Sequence, residues 1–314
     1  MEQQFVSING KVVTDFDDAK ISIWDTSFHR GDGVFEVMKL LPNEKVIHGD
    51  DDNDDTSSAN NTARKIRSLE KHLDRLQTSA NGVGCPLPSR EILKQWLYQA
   101  AAAAHSSCGC LRLIATKGGL GNKAAAVPSS VVISCSPLPV WPPTFMLLPL
   151  LAPWHPAGAK GWETPIKWTS YGPNVVSTRK AKQAGFTDAL LLSSDRLPAS
   201  GSSPPELKDC HVLDGPNFAI GWIADETLHF PCGSRLGLLP SITQSLIAES
   251  VADKLQLRVQ EGLYTLQDVL RAEGVFVMST TRGVIPVTRI GTAVLSQSAT
   301  VRKLSNLLDE LEVE

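Results

Sequence analysis

The chain has 314 residues, of which 42% are hydrophobic and 20% charged, and its formal net charge is −3. That length allows two domains, each with its own core, and the composition is that of an ordinary soluble folded protein. The lack of a basic surplus argues against nucleic acid as a partner, and no apolar run reaches the length of a membrane-crossing helix. The first residues, Met1-Glu2-Gln3-Gln4-Phe5, lack the basic start and apolar stretch of a signal peptide and the Arg and Ser of a transit peptide, so a cytoplasmic location is expected. The six cysteines include no CxxC pair. Only Cys108 and Cys110 are close, with no histidine at metal-ligand spacing, so all six are expected as reduced thiols, several of them in the core.

In chain order, residues 5–13 read as a hairpin turning at Asn9-Gly10. Residues 21–24 alternate like a strand, and 34–40 form a second strand-like run after Gly31-Asp32-Gly33. The acidic stretch 49–61 resembles a calcium loop in composition. Counted from Asp50, however, the loop glycine is replaced by Asp55 and the final glutamate by Asn61, so a solvated insertion is expected. Ile66, Leu69, Leu73 and Leu76 fall on one helical face, and the alanine run 100–104 supports a second helix over 89–105. Strands are expected over 111–116 and 131–134. The proline-rich stretch 137–143 suits neither a central strand nor a helix and reads as a linker, which divides the chain into domains 1–136 and 144–314.

The second half opens with a strand near 145–151. A helix should start at Pro173, which suits a first helical turn, and stop at Gly185, which suits a C-terminal cap. A buried strand over 189–193, a loop insertion over 197–209, strands around 213–223 and 274–279, and helices over 242–255, 265–271 and 299–311 follow.

The most informative segment is Pro165-Ile166-Lys167-Trp168-Thr169-Ser170-Tyr171-Gly172-Pro173-Asn174. Lys167 sits in a locally apolar run just ahead of a helix start. Burial disfavours an ammonium ion, so such a lysine can serve as a neutral amine nucleophile toward an aldehyde. By itself the segment is better read as a lysine whose stem packs on Trp168 while its head reaches water.

Five segments taken together extend the argument. They are Phe28-His29-Arg30-Gly31-Asp32-Gly33-Val34-Phe35-Glu36, His72-Leu73-Asp74-Arg75-Leu76, Ile166-Lys167, Leu213-Asp214-Gly215-Pro216-Asn217 and Gly237-Leu238-Leu239-Pro240-Ser241-Ile242-Thr243. A sixth, Ser279-Thr280-Thr281 ahead of Ile285-Pro286-Val287, fits the same series. In this order and spacing, over nearly the whole chain, they resemble the class IV (fold type IV) pyridoxal-phosphate enzymes: the D-amino acid and branched-chain aminotransferases and aminodeoxychorismate lyase. The resemblance implies a two-domain α/β (α+β) architecture, a cofactor site between the domains, and a homodimer.

It also implies roles. Lys167 matches the lysine that holds pyridoxal 5′-phosphate as a Schiff base and shuttles the substrate proton. Arg75 matches the cofactor-phosphate clamp, and Ile242, Thr243 and Thr280 are further phosphate candidates; the first two open a helix whose free N–H groups favour an anion. Asp214 stands where the family usually has glutamate against the pyridine nitrogen, one methylene shorter. Without the resemblance, Arg75 reads as a surface arginine, Thr243 as a helix-start residue, Thr280 as strand-end turn chemistry and Asp214 as a turn residue.

For the substrate, Phe35 matches an aromatic on the substrate side of the family's pocket, although core packing explains it equally well. Arg112, which shares a strand face with Cys110 and Ile114, and Lys117 are candidates for a substrate carboxylate, and Thr281 is a further candidate contact. The Arg-x-His pair of D-amino acid aminotransferases is missing from Lys117-Gly118-Gly119-Leu120-Gly121-Asn122-Lys123. The expectation is an aminotransferase working between an amino acid and a 2-oxo acid, the amino acid having one carboxylate and a mainly apolar side chain. A lyase resembling aminodeoxychorismate lyase and a non-catalytic protein retaining the fold are the alternatives.

Overall fold

The computed structural model describes residues 5–41, 64–120, 126–155, 165–193 and 206–311. The insertion 49–61 and most of the loop 197–209 lie outside these residues. The chain separates into two compact units, one reaching Leu138 and the other spanning Pro139–Leu311.

The first unit is built on β1 (Phe5–Ile8), β2 (Lys11–Val12), α1 (Thr26–His29), β3 (Val34–Lys39), α2 (Leu69–Val83), α3 (Arg90–Ala103), β4 (Cys108–Ala115) and β5 (Val131–Pro137). Its five strands form an antiparallel sheet in the order β2-β1-β5-β4-β3. Asn9 and Gly10 both have positive φ, 51° and 76°, which a two-residue hairpin turn requires. The alternating stretch 21–24 is not a strand. It turns into α1, whose first N–H groups are met by Asp25 at 2.9 Å from the Ser27 nitrogen, and Ile23 and Trp24 stay exposed. Alternation makes a strand only where a neighbour offers backbone partners.

Leu69, Leu73 and Leu76 line the buried face of α2 as their spacing predicts, but Ile66 precedes the helix and bridges to Leu40. Ser68, with φ of 51°, turns the chain between them. Pro137 ends β5 opposite Cys108, so the proline-rich stretch begins inside the sheet, at a terminal position where a missing N–H is tolerated.

The second unit contains β6 (Phe145–Leu151), α4 (Gly172–Gln183), β7 (Asp188–Leu192), β8 (Ala219–Ala224), β9 (Thr227–Pro231), α5 (Gly233–Leu236), α6 (Ile242–Leu246), β10 (Arg258–Gly262), α7 (Leu266–Leu270), β11 (Gly274–Ser279), β12 (Gly283–Ile290), β13 (Ala293–Val294) and α8 (Ala299–Glu310). The mixed sheet runs β10-β9-β8-β11-β12-β6-β7, with β13 paired to β12. In β11, Val275 and Val277 enter one core with Phe145, Leu190 and Trp222. Phe276 and Met278 enter another on the opposite face, with Phe230, Leu304 and Leu308 of α8. Because both faces are covered, β11 reads as a continuous apolar run.

Three strands carry little sequence signal. The backbone of β10 is an edge whose residues Arg258-Val259-Gln260-Glu261 are exposed, β9 is five residues long, and β12 contains Pro286. The strand expected from 213 starts only at Ala219, because 213–218 is a loop. The helix expected over 242–255 is divided: α6 passes into a wider turn at Ile247–Val251 and a tighter one at Asp253–Leu255, and ends at Gln256 with φ of 55°. All six cysteines are thiols and all but Cys232 are buried.

Candidate active site

In the first unit, the residues of the His72-to-Leu76 motif meet the end of the Gly31-to-Glu36 motif. His72 and Arg75 are one turn apart on α2, on the face toward β3. Glu36, fully buried in β3, receives Arg75 in a fork: Nε to Oε1 at 2.7 Å and the terminal nitrogen to Oε2 at 2.8 Å. His72 Nδ1 lies 2.7 Å from the same Oε2. Burial pushes the Glu36 carboxyl up, but the hydrogen bonds and charges of Arg75 and His72 outweigh it and hold the group at about 2. The plane of the Arg75 guanidinium is therefore set by Glu36, a residue that sequence reasoning left without a role. The two motifs, one ending in Glu36 and the other carrying Arg75, of opposite charge, were the available signal.

Phe35, Val37, Arg112 and Ile114 point to the sheet face opposite Glu36, as the β3–β4 register dictates. Phe35 is buried and the Arg112 guanidinium lies 5.6 Å from its ring centre. The Lys117 ammonium donates to the Val83 carbonyl at 2.7 Å, at the C-terminal end of α2, and is 3.9 Å from Asp32. A cation is favoured there by the helix dipole, so Lys117 has a structural task.

In the second unit, Lys167 is half-buried just ahead of α4. Asp214 sits in the loop between β7 and β8; its carbonyl accepts from the Leu191 N–H at 2.9 Å. A part of Asp214 reaches solvent, yet its carboxyl is densely surrounded. Burial pushes it up to about 7, and the ammonium of Lys167 pulls the other way. Lys167 is therefore near enough to Asp214 for its charge to bear on that carboxyl.

The loop is tightly made. The Gly215 N–H donates to the Phe218 carbonyl at 2.9 Å, and a Cβ at Gly215 would stand 2.0 Å from the Phe218 ring, which excludes other residues without rearrangement. The Asn174 side chain, in the first turn of α4, donates to the Pro216 carbonyl. Thr280 and Thr281 follow β11 in a half-buried turn closed by the Arg282 N–H to the Ser279 carbonyl at 3.1 Å. Arg282 in turn donates to both the carbonyl and the side-chain oxygen of Asn217, at 2.9 and 2.6 Å. The Lys167–α4 segment, the Asp214 loop and the Thr280 turn are thus stitched together by Asn174 and Arg282, neither of which was singled out from sequence. Ile242 and Thr243 are buried at the start of α6, where Ser241 already caps the Gln244 N–H at 3.2 Å, and α6 packs against β11.

The donor set fits pyridoxal phosphate: an amine near a carboxylate that can hold a ring nitrogen, with the hydroxyl-bearing Thr280 turn tied to the same loop.

The Asp214 environment has a consequence for stability. Its folded-state value lies above the ordinary 3.8, so the folded cofactor-free protein binds the extra proton between about 4 and about 7. The contribution is fully present below about pH 4 and is lost as pH rises through about 7. Asp214→Asn is expected to flatten this dependence, seen as a smaller fall in Tm between pH 5 and pH 8 in scans of cofactor-free protein. Equal falls in both proteins would show that Asp214 is not the titrating group.

Known proteins similar to this chain in sequence and fold are aminotransferases. The family model described as amino-transferase class IV matches residues 55–290. A D-alanine aminotransferase of Listeria monocytogenes is 24% identical over 299 residues, covering 91% of this chain and 87% of that protein. A putative branched-chain-amino-acid aminotransferase of Methanocaldococcus jannaschii is 23% identical, covering 93% of this chain and 89% of its own length. Among solved structures, a hypothetical aminotransferase from Mycobacterium tuberculosis in its PLP-bound form superposes with a TM-score of 0.78 at 21% identity, covering 99% of both chains, which establishes the shared fold. With the family model spanning most of its length, this chain belongs to the class IV aminotransferases.

Proposed function

We propose that Lys167 and Asp214 form the reacting centre of a pyridoxal-phosphate-dependent aminotransferase whose amino donor has an apolar side chain. Family membership carries the reaction: an amino group moves between an amino acid and a 2-oxo acid with pyridoxal phosphate as cofactor. When bound, the cofactor supplies an electron sink for the bond broken at the substrate Cα. The observation that supports the residue assignment is the set of hydrogen bonds, from Asn174 to Pro216 and from Arg282 to Asn217, that tie the Lys167–α4 segment, the Asp214 loop and the Thr280 turn together within one unit.

In this reading the Lys167 amine anchors the cofactor aldehyde and moves the proton from the substrate Cα. The Asp214 carboxylate holds a proton at the ring nitrogen. Thr243, the backbone at Ile242, and Thr280 are proposed for the phosphate, as is Arg75, whose guanidinium plane Glu36 sets. Phe35, Arg112 and Thr281 are the substrate-contact candidates; Lys117, engaged at the end of α2, is the weakest of this group. An apolar donor is supported by the two relatives, one named for D-alanine and one for branched-chain amino acids.

The test is a product assay on cofactor-loaded protein. D- and L-alanine, valine and leucine are offered beside aspartate, glutamate and lysine, each with a 2-oxo acid acceptor. Keto acid from the apolar donors is expected, and the preferred hand is read from the same panel. Turnover with the acidic donors alone would overturn the donor assignment, and pyruvate released from aminodeoxychorismate without amino transfer would favour the lyase. No helix among the described residues is long and apolar enough to cross a membrane. A homodimer acting in the cytoplasm is the assembly and location we propose, checked by sedimentation and cell fractionation.

A further inference from the structure

Arg282 is a charged side chain placed where charge is costly. Its guanidinium stacks 3.9 Å from the centre of the Trp141 ring, with Phe145 at 5.6 Å and Phe218 at 5.3 Å. Burial lowers its pKa to about 10, against the opposing charge of Asp188. A cation kept in such surroundings must be held by directed contacts. Three are present: to the Asn217 carbonyl at 2.9 Å, to the Asn217 side-chain oxygen at 2.6 Å, and to Ser279 Oγ at 3.3 Å.

These contacts join two segments far apart in sequence. One is the 214–218 loop, which carries Asp214 and closes on itself through Gly215 and Phe218. The other is the 279–282 turn, which carries Thr280. Phe218 both closes the first loop and forms part of the aromatic box around Arg282. The geometry resembles a bolt: a planar fork on the loop backbone and side chain, with the same guanidinium laid over an indole ring. A lysine offers one point charge and cannot span both Asn217 acceptors while stacking on Trp141.

We propose that Arg282 is a positioning residue that locks the Asp214 loop to the Thr280 turn and so fixes where the Asp214 carboxylate stands relative to Lys167. The role of Asp214 toward the cofactor rests on the function proposed above; the lock itself does not.

The primary measurement is therefore made without cofactor. Asp214 is followed by carbon-13 NMR titration of its carboxyl in wild type, Arg282→Ala and Arg282→Lys. The wild-type group is expected to titrate near 7. In both variants it is expected to fall by a unit or more toward the ordinary carboxylate range, as the freed loop lets the group reach water. Because Lys167 is the charge that acts on Asp214, loss of the Arg282 charge is not the cause of such a fall. Recovery of the wild-type value in Arg282→Lys would mean that the fork is not what holds the loop and would overturn the lock, as would an unchanged Asp214 titration in folded Arg282→Ala. Should Arg282→Ala fail to fold, Asn217→Ala removes one acceptor while leaving the Trp141 stack, and a smaller shift in the same direction is expected; no shift would overturn the proposal.

With pyridoxal phosphate added, the nitrogen-15 shift of the labelled ring is expected to move toward the unprotonated form in Arg282→Ala, and kcat to fall about tenfold with KM little changed. If wild type binds no cofactor, the functional reading fails while the cofactor-free titration still decides the lock.

Discussion

Lys167→Ala is expected to lower amino-transfer turnover by about a thousandfold or more, because it removes the group that moves the substrate proton. The loss should appear in product formation from every donor alike. It should be accompanied by disappearance of the visible absorption band that the cofactor gives in wild type. The described alternatives to Lys167 are poorly placed: Lys180 and Lys182 are exposed on α4, and Lys208 pairs with Glu206 on the surface at 2.6 Å. Lys167→Arg separates two roles. It keeps a cation beside Asp214 but supplies no neutral amine, so it should be as inactive as the alanine variant while leaving the Asp214 titration closer to wild type. Turnover in Lys167→Ala within tenfold of wild type would remove Lys167 from the mechanism.

Glu36→Ala is expected to destabilise the protein by about 3–5 kcal/mol, the usual cost of removing one partner from a buried ion pair. The fork from Arg75 and the contact from His72 converge on this one carboxylate, so its loss strands two polar side chains against the sheet. Glu36→Gln keeps the volume and one acceptor and should cost less. Its pH dependence identifies the cause. With the folded-state value held at about 2 against an ordinary 4.5, the carboxylate's contribution is present above about 4.5 and is lost as pH falls toward about 2. The stability gap between wild type and Glu36→Gln, measured by urea unfolding at pH 7, 5, 4 and 3, should be widest at the upper end and narrow at the lower. A glutamine variant as stable as wild type at pH 7 would show that the ion pair contributes nothing net. The same variant should also bind pyridoxal phosphate more weakly if Arg75 serves its phosphate, since the guanidinium plane would no longer be held.

Local chemistry was enough for the elements whose signals are themselves local. Asn9-Gly10 marks its hairpin because both residues tolerate positive φ, the leucines of α2 recur at helical spacing, and Pro173 and Gly185 bracket α4. The short motifs likewise pointed to the family, since residue type and order survive where overall identity is low. The sequence did not reveal β9, β10 and β12, because an exposed edge and a proline-bearing strand lack the apolar pattern by which strands are recognised, and their pairing is supplied by neighbours. It also mistook 21–24 for a strand, where a capping aspartate turns the chain into a helix.

The candidate site divides in the same way. Lys167, Arg75, Asp214 and Thr280 could be picked out from the sequence as residue types in recognisable strings. What each side chain touches could not. Glu36 reaches Arg75 across 39 positions and Asn217 reaches Arg282 across 65, and such contacts follow from strand order and loop closure, which no local pattern encodes. The state of Asp214, raised by burial and opposed by Lys167, is likewise a property of its packed surroundings. Sequence thus determined which chemical groups are available, because identity is local; the tertiary structure decided their partners and charge states, because desolvation and hydrogen bonding depend on everything folded around them.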